Sequence, residues 1–362
     1  MFRWIGRVVY RLLVLISIML ACGMLACTYC TLLNPIHYPL LNILRFLFPF
    51  FLVANLLVLI FWIFVKWRTA IIPLVALVAC WGGIRAYVPF NIPQTPPDDA
   101  IKILSYNTCM FGKHNRWKDV CENEIHQYIR QSGADIVCLQ EMMNIDSTSY
   151  YKLDDIYPYS TVSHFPTLSR LAIFSKYPLI DTLWIQYPTT NNNSVLYHLL
   201  VDGDTVSVIN NHLESLKLNP EEKKSYDDMI VNKDVKKKES KVLFDRIIYT
   251  DSIRAYQADI LHDIVAEELE RHGNVIFCGD FNDSPISYVH QRLTRLLRDA
   301  FSDSGNGLAF SYQNYHMYIR IDHILHSPNY ESFGTKVDKS IKTSDHYPIF
   351  TYLRKKDKKV EK

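Results

Sequence analysis

The sequence predicts an α/β chain: two β-sheets packed face to face with helices outside, preceded by an N-terminal bundle of apolar helices. Three observations carry this. Hydrophobicity is unevenly placed, since residues 1–90 are dominated by Leu, Val, Ile and Phe, and ordinary soluble composition begins after Pro93. Beyond residue 100, apolar runs of strand length alternate with helical patterns. One pair of runs, Val195–Val201 and Thr205–Asn211, flanks Asp202-Gly203-Asp204, which signals an antiparallel hairpin. That hairpin, with no Gly-rich phosphate loop, argues against a doubly wound nucleotide-binding sheet. The length of 362 residues suits about two domains. A net charge of +2 gives no global basic signal for nucleic acid.

In chain order, Leu12–Leu33 and about Phe46–Val65 are each long enough to span a bilayer, which takes about 20 apolar residues. A third stretch, about Ile71–Val88, is shorter and contains Pro73, Gly82, Gly83 and Arg85. Arg3, Arg7 and Arg11 precede the first stretch, and Lys66 and Arg68 follow the second, whereas Arg45 and Arg85 fall on the other side. Basic residues favour the cytoplasmic side. The expectation is a multi-pass anchor over residues 1–90, with three transmembrane helices (12–33, 46–65, 71–88) and the rest extracytoplasmic. Two spans would leave the rest in the cytoplasm. A cleaved signal peptide fits less well, because two apolar stretches follow immediately. Cys109, Cys121, Cys138 and Cys278 have no metal-type spacing and read as buried thiols.

A Pro-rich connector over residues 91–99 is stiff and extended. The second domain runs over residues 100–354, and residues 355–362 form a charged tail. Within the domain, strands are expected at Ile101–Asn107, Asp135–Leu139, Arg170–Ser175, Thr182–Gln186, the hairpin, Val275–Phe277, Ile319–Leu325 and Tyr347–Leu353. Helices are expected at Trp117–Gln131, Ile253–Arg271 and Ile286–Leu297, and a solvated polar insertion at Lys217–Lys238.

Polar residues stand at the ends of these strands. Asn107 ends the first and Gln140-Glu141 the second. His212 ends the hairpin, Asp280 and Asn282 follow Val275–Phe277, Asp322 lies in the next strand, and Asp345-His346 precedes the last. Strand residues i and i+2 point the same way, so Asp280 and Asn282 can aim at one point. Each residue singly has a plain explanation as a turn, a cap or a solvated end. Together they form an inventory of hard oxygen donors with acid–base groups beside it, which suits magnesium. It lacks the thiolates of a structural zinc site.

The segments LSYNTCMFG, DIVCLQEM, VINNHLES, RAYQADIL, CGDFNDSP, IRIDHIL and TSDHYPIF, in this order, resemble the endonuclease/exonuclease/phosphatase superfamily, to which deoxyribonuclease I belongs. The resemblance covers about residues 101–354 and includes membrane-anchored bacterial members. It implies a four-layer sandwich of two mixed β-sheets between outer helices, and a bacterial inner-membrane location. It implies hydrolysis of a phosphate ester by metal-activated water, with Mg2+ or Mn2+ as cofactor. On that likeness Asn107 and Glu141 would hold the ion, with Asp345 as a further ligand. Asp280 and Asn282 would orient or deprotonate the water, and His212 would bond a phosphate oxygen. Asp322 would orient His346 against the phosphate. The sequence departs from the family at Asn211, where relatives usually have Thr, and at Ser169-Arg170, where many have Gly. Arg170 is a weak candidate for contacting substrate. The expected partners are the lipid bilayer and a phosphate ester, either nucleic acid or a lipid head group, with no protein partner. A nuclease, a lipid head-group phosphatase or phosphodiesterase, and a silent phospho-ligand-binding module are the readings left open.

Overall fold

A computed structural model of the chain describes residues 2–112, 120–143, 148–163, 170–188, 192–218, 221–222, 237–314 and 317–356. Two six-stranded sheets form its larger part. The first has the order β11 (Tyr330–Val337), β12 (Ile349–Lys355), β1 (Ile101–Asn107), β2 (Ile136–Met142), β4 (Arg170–Ser175), β3 (Tyr159–Val162). The second has the order β5 (Leu179–Gln186), β6 (Asn193–Val201), β7 (Asp204–His212), β8 (Val275–Asp280), β10 (Asp322–His326), β9 (Arg298–Asp299). Both are mixed: β1–β2 and β7–β8 run parallel and their other pairs antiparallel.

Period-two alternation decides which face each side chain takes. Ile101 and Ile103 of β1, Cys138 of β2, Val206 and Val208 of β7, and Ile276 and Cys278 of β8 fill the core between the sheets. Leu104, Tyr106, Val137 and Leu139 face outward against Ile125 and Ile129 of a helix at Glu124–Gln131. On the other side, Val275, Phe277 and Leu325 meet Ala258, Leu261 and Val265 of the long helix Lys237–Arg271 and Val289 and Leu293 of Tyr288–Leu293. The result is the helix–sheet–sheet–helix layering that the resemblance implies.

The hairpin turn is as expected, with Asp202 and Gly203 at φ +50° and +86°. Elsewhere the boundaries move. The helix expected at Trp117–Gln131 covers Glu124–Gln131, started by Asn123, whose side chain accepts from the Ile125 and His126 amides. Residues 117–119 lie outside the described residues. The helix expected from Ile253 begins at Lys237, because the Lys-rich segment favours helix without an apolar stripe. Most of the Lys217–Lys238 insertion and the tail from residue 357 lie outside the described residues. The helix expected at Ile286–Leu297 is limited to Tyr288–Leu293, capped by Ser287. The unexpected strands β3, β9 and β11 are all at sheet edges, where one-sided pairing leaves the weakest pattern.

In the N-terminal part, helices α1 (Phe2–Tyr29), α2 (Phe48–Lys66) and α3 (Ile71–Ala79) pack on one another. Apolar side chains also face outward, among them Leu12, Met19, Phe50, Leu57 and Phe64. Two segments, Arg3–Leu32 and Pro39–Ala79, are long and apolar enough to cross a membrane. The third expected stretch is not one continuous helix. It breaks at Cys80 into α3 and α4 (Trp81–Tyr87), with Gly82 and Gly83 in the first turn of the latter. Its end is held by the sandwich: Arg85 Nη2 donates to the Ser302 carbonyl at 2.7 Å, and Arg320 donates to the Ala86 carbonyl.

Candidate active site

Three adjacent strands of the second sheet align their functional ends. His212 of β7 is paired in register with Asp280 of β8, and Asp280 with Asp322 of β10. Gly279 allows this approach. Its φ is +132°, and a Cβ there would lie 2.1 Å from the Asn211 carbonyl oxygen. Just past the strand, Asn282 adopts φ +51°, a conformation Asn tolerates better than most residues. Its amide donates to Asp280 Oδ1 at 2.8 Å, and its Nδ2 donates to the Leu213 carbonyl at 2.9 Å.

The first sheet supplies the facing wall. The β2–β4 register shifts between Leu139 and Met142, and Glu141 takes φ +48° there. Such a bulge re-aims a side chain. Asn107 Nδ2 donates to Glu141 Oε1 at 3.2 Å and to Asp280 Oδ2 at 3.0 Å, so it joins the two sheets across the site. Ser344 Oγ donates to the Asn107 carbonyl at 2.8 Å and accepts the His346 amide at 3.1 Å. His346 Nδ1 then meets Asp322 Oδ2 at 2.8 Å, and its Nε2 lies 3.7 Å from Asp280 Oδ2. His212 Nε2 lies 3.6 Å from Glu141 Oε1 and 3.8 Å from Asp280 Oδ2.

Burial and neighbouring charge set the protonation states. Burial pushes the Asp280 carboxyl up to about 6; Asp322 adds to this, while His346 and His212 oppose it. Burial alone would lower the His346 imidazole, but Asp322 and Asp280 outweigh it and push it up to about 10. His212 is lowered, chiefly by burial. A base ionised at neutral pH therefore stands beside an imidazolium and a neutral imidazole.

The donor set fits a divalent cation. Glu141, Asp280 and Asp345 line the cavity beside the His346 imidazolium, Asp322 holds that imidazolium, and Asp322 Oδ1 is buried without a hydrogen-bond partner among the described residues. Buried negative charge in excess calls for a cation, and oxygen donors suit Mg2+ or Mn2+. Asp280, Asp322 and His346 come close enough together to hold an ion. However, an imidazolium cannot ligate, so Glu141 and Asp345 are the better holders; Asn107 would join them only through Oδ1, which accepts the Cys109 amide at 3.1 Å. A second close group, His198, Glu268 and His272, lies apart from this site. Its Glu268 accepts from Ser207 Oγ at 2.6 Å and meets His198 Nε2 at 2.8 Å, which is a structural arrangement.

The structure thus brings together eight of the nine residues singled out in the sequence: Glu141, Asp280, Asn282, Asp345 and His346 line one cavity of about 270 Å³, and Asn107, His212 and Asp322 lie against Asp280 or His346. Arg170 is not among the described residues lining it; it is buried at the start of β4, opposite Met142. Asn211 faces away from the cavity and donates to the Cys278 carbonyl at 3.0 Å. Sequence reasoning missed the supports. Besides Ser344, Gln140 Nε2 donates to Asn210 Oδ1 at 2.7 Å, tying the two sheets together behind the site. It also missed the wall. Phe46, Leu216, Leu243, Ile247, Met317 and Ile319 give the cavity a broad apolar side.

The family described as the Endonuclease/Exonuclease/phosphatase family matches residues 104–346. A domain of unknown function matches residues 10–87. Among curated proteins, no match is found. Solved structures share the fold at low identity. Truncated TDP2 from Caenorhabditis elegans is 18% identical with a TM-score of 0.51, covering 72% of this chain and 99% of that one. D. rerio TDP2 complexed with single-strand DNA product is 18% identical with a TM-score of 0.51, covering 71% and 100%. An endonuclease/exonuclease/phosphatase from Beutenbergia cavernae is 15% identical with a TM-score of 0.52, covering 71% and 72%.

Proposed function

The chain belongs to the endonuclease/exonuclease/phosphatase family, and from that premise we propose a membrane-anchored, divalent-metal-dependent phosphoesterase whose substrate carries an apolar body. The observation that carries the chemistry is the aligned His212–Asp280–Asp322 row, with His346 held on Asp322. Asp280 takes a proton from the attacking water as the water oxygen bonds to phosphorus. His346, oriented by Asp322, donates its proton to the leaving oxygen as the phosphorus–oxygen bond breaks. His212 donates a hydrogen bond to a phosphate oxygen. Asn282 orients the water beside Asp280. An ion held by Asn107 and Glu141, with Asp345 beside them, would supply positive charge as negative charge develops on the phosphate.

The apolar wall of the cavity supports a lipid phosphoester over a nucleic acid. A nucleic-acid backbone needs cations to neutralise it. Among the described residues lining the cavity, the Lys and Arg side chains are already paired, Lys217 with Glu214 at 2.6 Å and Arg254 with Asp251. The outward apolar side chains of α1 and α2 support a bilayer around residues 1–90. Lys66 lies over the Tyr10 ring at 4.0 Å, so the basic end of the bundle is the N-terminal end. The catalytic domain adjoins the opposite end, which supports an extracytoplasmic placement. Residues 91–99 link the two parts.

The full chain in lipid nanodiscs, with Mg2+ or Mn2+, tests this against sphingomyelin, a phosphoinositide and single-stranded DNA. We expect turnover of a lipid substrate, lost with EDTA and in Asp280→Ala. Turnover of DNA alone would establish the nuclease reading instead. No turnover by folded, metal-loaded protein would favour a silent binding module.

A further inference from the structure

Between Leu12 and Val65 the sequence has a single Asp, Glu, Lys or Arg, and it is Arg45. A lone cation in an apolar stretch is costly unless it is paired. Arg45 is 3% exposed, and its guanidinium reaches into the catalytic domain. Nη1 donates to Asp251 Oδ2 at 2.6 Å and Nη2 to Asp251 Oδ1 at 2.8 Å. Nη2 also lies 3.3 Å from Asp283 Oδ1. Arg254 closes the cluster. It pairs with Asp251, lies 3.4 Å from Asp283 Oδ2, and donates to the Glu214 carbonyl at 2.9 Å.

Asp283 is the residue after Asn282, and Glu214 is the second residue after His212. The cluster therefore grips both segments that leave the catalytic strands. The same loop continues into the N-terminal helices. Ile286 is buried in one cluster with Met24, Cys27, Phe48 and Leu77. Asn34 Nδ2 lies 3.3 Å from the Tyr288 hydroxyl. One short segment thus begins at the reacting carboxylate and ends embedded in the N-terminal bundle.

We propose that Arg45 is a positioning residue for the catalytic loop, so that the N-terminal region completes the active site as well as anchoring it. This rests on the reading of Asp280 and Asn282 as the groups that act on water. A bidentate fork onto Asp251 fixes direction as well as charge, which a lysine cannot do. Displacing a catalytic group by about 1 Å costs about 10²-fold in rate. The effect falls on kcat, since Asp280 acts on the reacting water.

The test uses the full chain in nanodiscs with two readouts. One is hydrogen–deuterium exchange of the peptide covering residues 281–288. The other is kcat and KM for bis(4-nitrophenyl) phosphate with Mn2+. In Arg45→Met we expect faster exchange in that peptide and a fall in kcat of about ten- to a hundredfold, with KM within about twofold. Arg45→Lys should fall in between, and millimolar ethylguanidinium should restore part of kcat to Arg45→Ala where methylammonium does not. Arg68→Met, at the exposed far end of the bundle, should match the wild type. Unchanged kcat in Arg45→Met overturns the proposal, whether or not exchange rises. If Arg45→Met does not fold, Arg45→Lys decides, and wild-type kcat there overturns it. A wild-type chain with no turnover would count against the catalytic reading alone; the exchange of the loop would still decide whether Arg45 holds it.

Discussion

Two buried charge clusters lie within four residues of each other along the chain and differ in balance. Around Asp283, two arginines face two aspartates, so the formal charges cancel, and the guanidiniums also donate to the Asn42 and Glu214 carbonyls. Around Asp280, four carboxylates face one imidazolium, and a cavity opens beside them. Burial raises the carboxyl in both cases, but only Asp283 has two guanidiniums against it. The neutral cluster, although Arg254 and Asp283 line the same cavity, pairs its charges with one another. The acidic one has negative charge left over, which suits a cation. On the proposed reading, excess charge, more than burial, separates a working site from a structural one.

Substitutions can break this contrast, and the largest effect is expected at Asp280. Asp280→Asn keeps the size and removes the base, so kcat should fall by about 10³-fold or more while the thermal midpoint holds or rises. Asp322→Asn should come next, at about 10²-fold, measured as kcat. The same variant sharpens the electrostatic account through the pH profile. Activity should rise with pH through about 6, as Asp280 ionises, and fall through about 10, as His346 loses its proton. Without the Asp322 carboxylate His346 holds its proton less well, so the falling limb should move to lower pH. Arg45→Met should follow at about ten- to a hundredfold. Ile247→Ser, in the apolar wall, should raise KM for a lipid substrate about tenfold and leave bis(4-nitrophenyl) phosphate unaffected. Arg170→Ala should change kcat and KM by less than about twofold, since Arg170 is buried at the start of β4 opposite Met142, outside the His212–Asp280–Asp322 row.

Much of the fold was legible because strand and helix periodicities are local. The runs at Ile101–Asn107 and Val275–Phe277 announce both faces of their strands, and Asp202-Gly203 announces its turn. The site residues were legible because they stand at or beside the ends of apolar runs. Edge strands such as Tyr159–Val162 were not, since half their pairing is missing and their alternation is weak. The start of the long helix at Lys237 was hidden by a polar segment with no stripe. Arg45 was read only as a basic residue on the side opposite Arg3, Arg7 and Arg11, and nothing near it in the chain points to Asp251 or Asp283. Those partners lie more than 200 residues away, and only the folded chain brings them together. The apolar wall was hidden for the same reason, since Phe46, Leu216, Ile247 and Ile319 come from four separate segments.

The measurement that tests the central claim most directly is a Mn2+ titration of the full chain during hydrolysis of bis(4-nitrophenyl) phosphate, for wild type, Asp280→Asn and Asp283→Asn. The account predicts turnover that saturates with metal and vanishes with EDTA. Turnover should be lost in Asp280→Asn and only reduced in Asp283→Asn, because one variant removes the base and the other loosens its support. Turnover indifferent to EDTA, or an Asp280→Asn protein as active as the wild type, would contradict it.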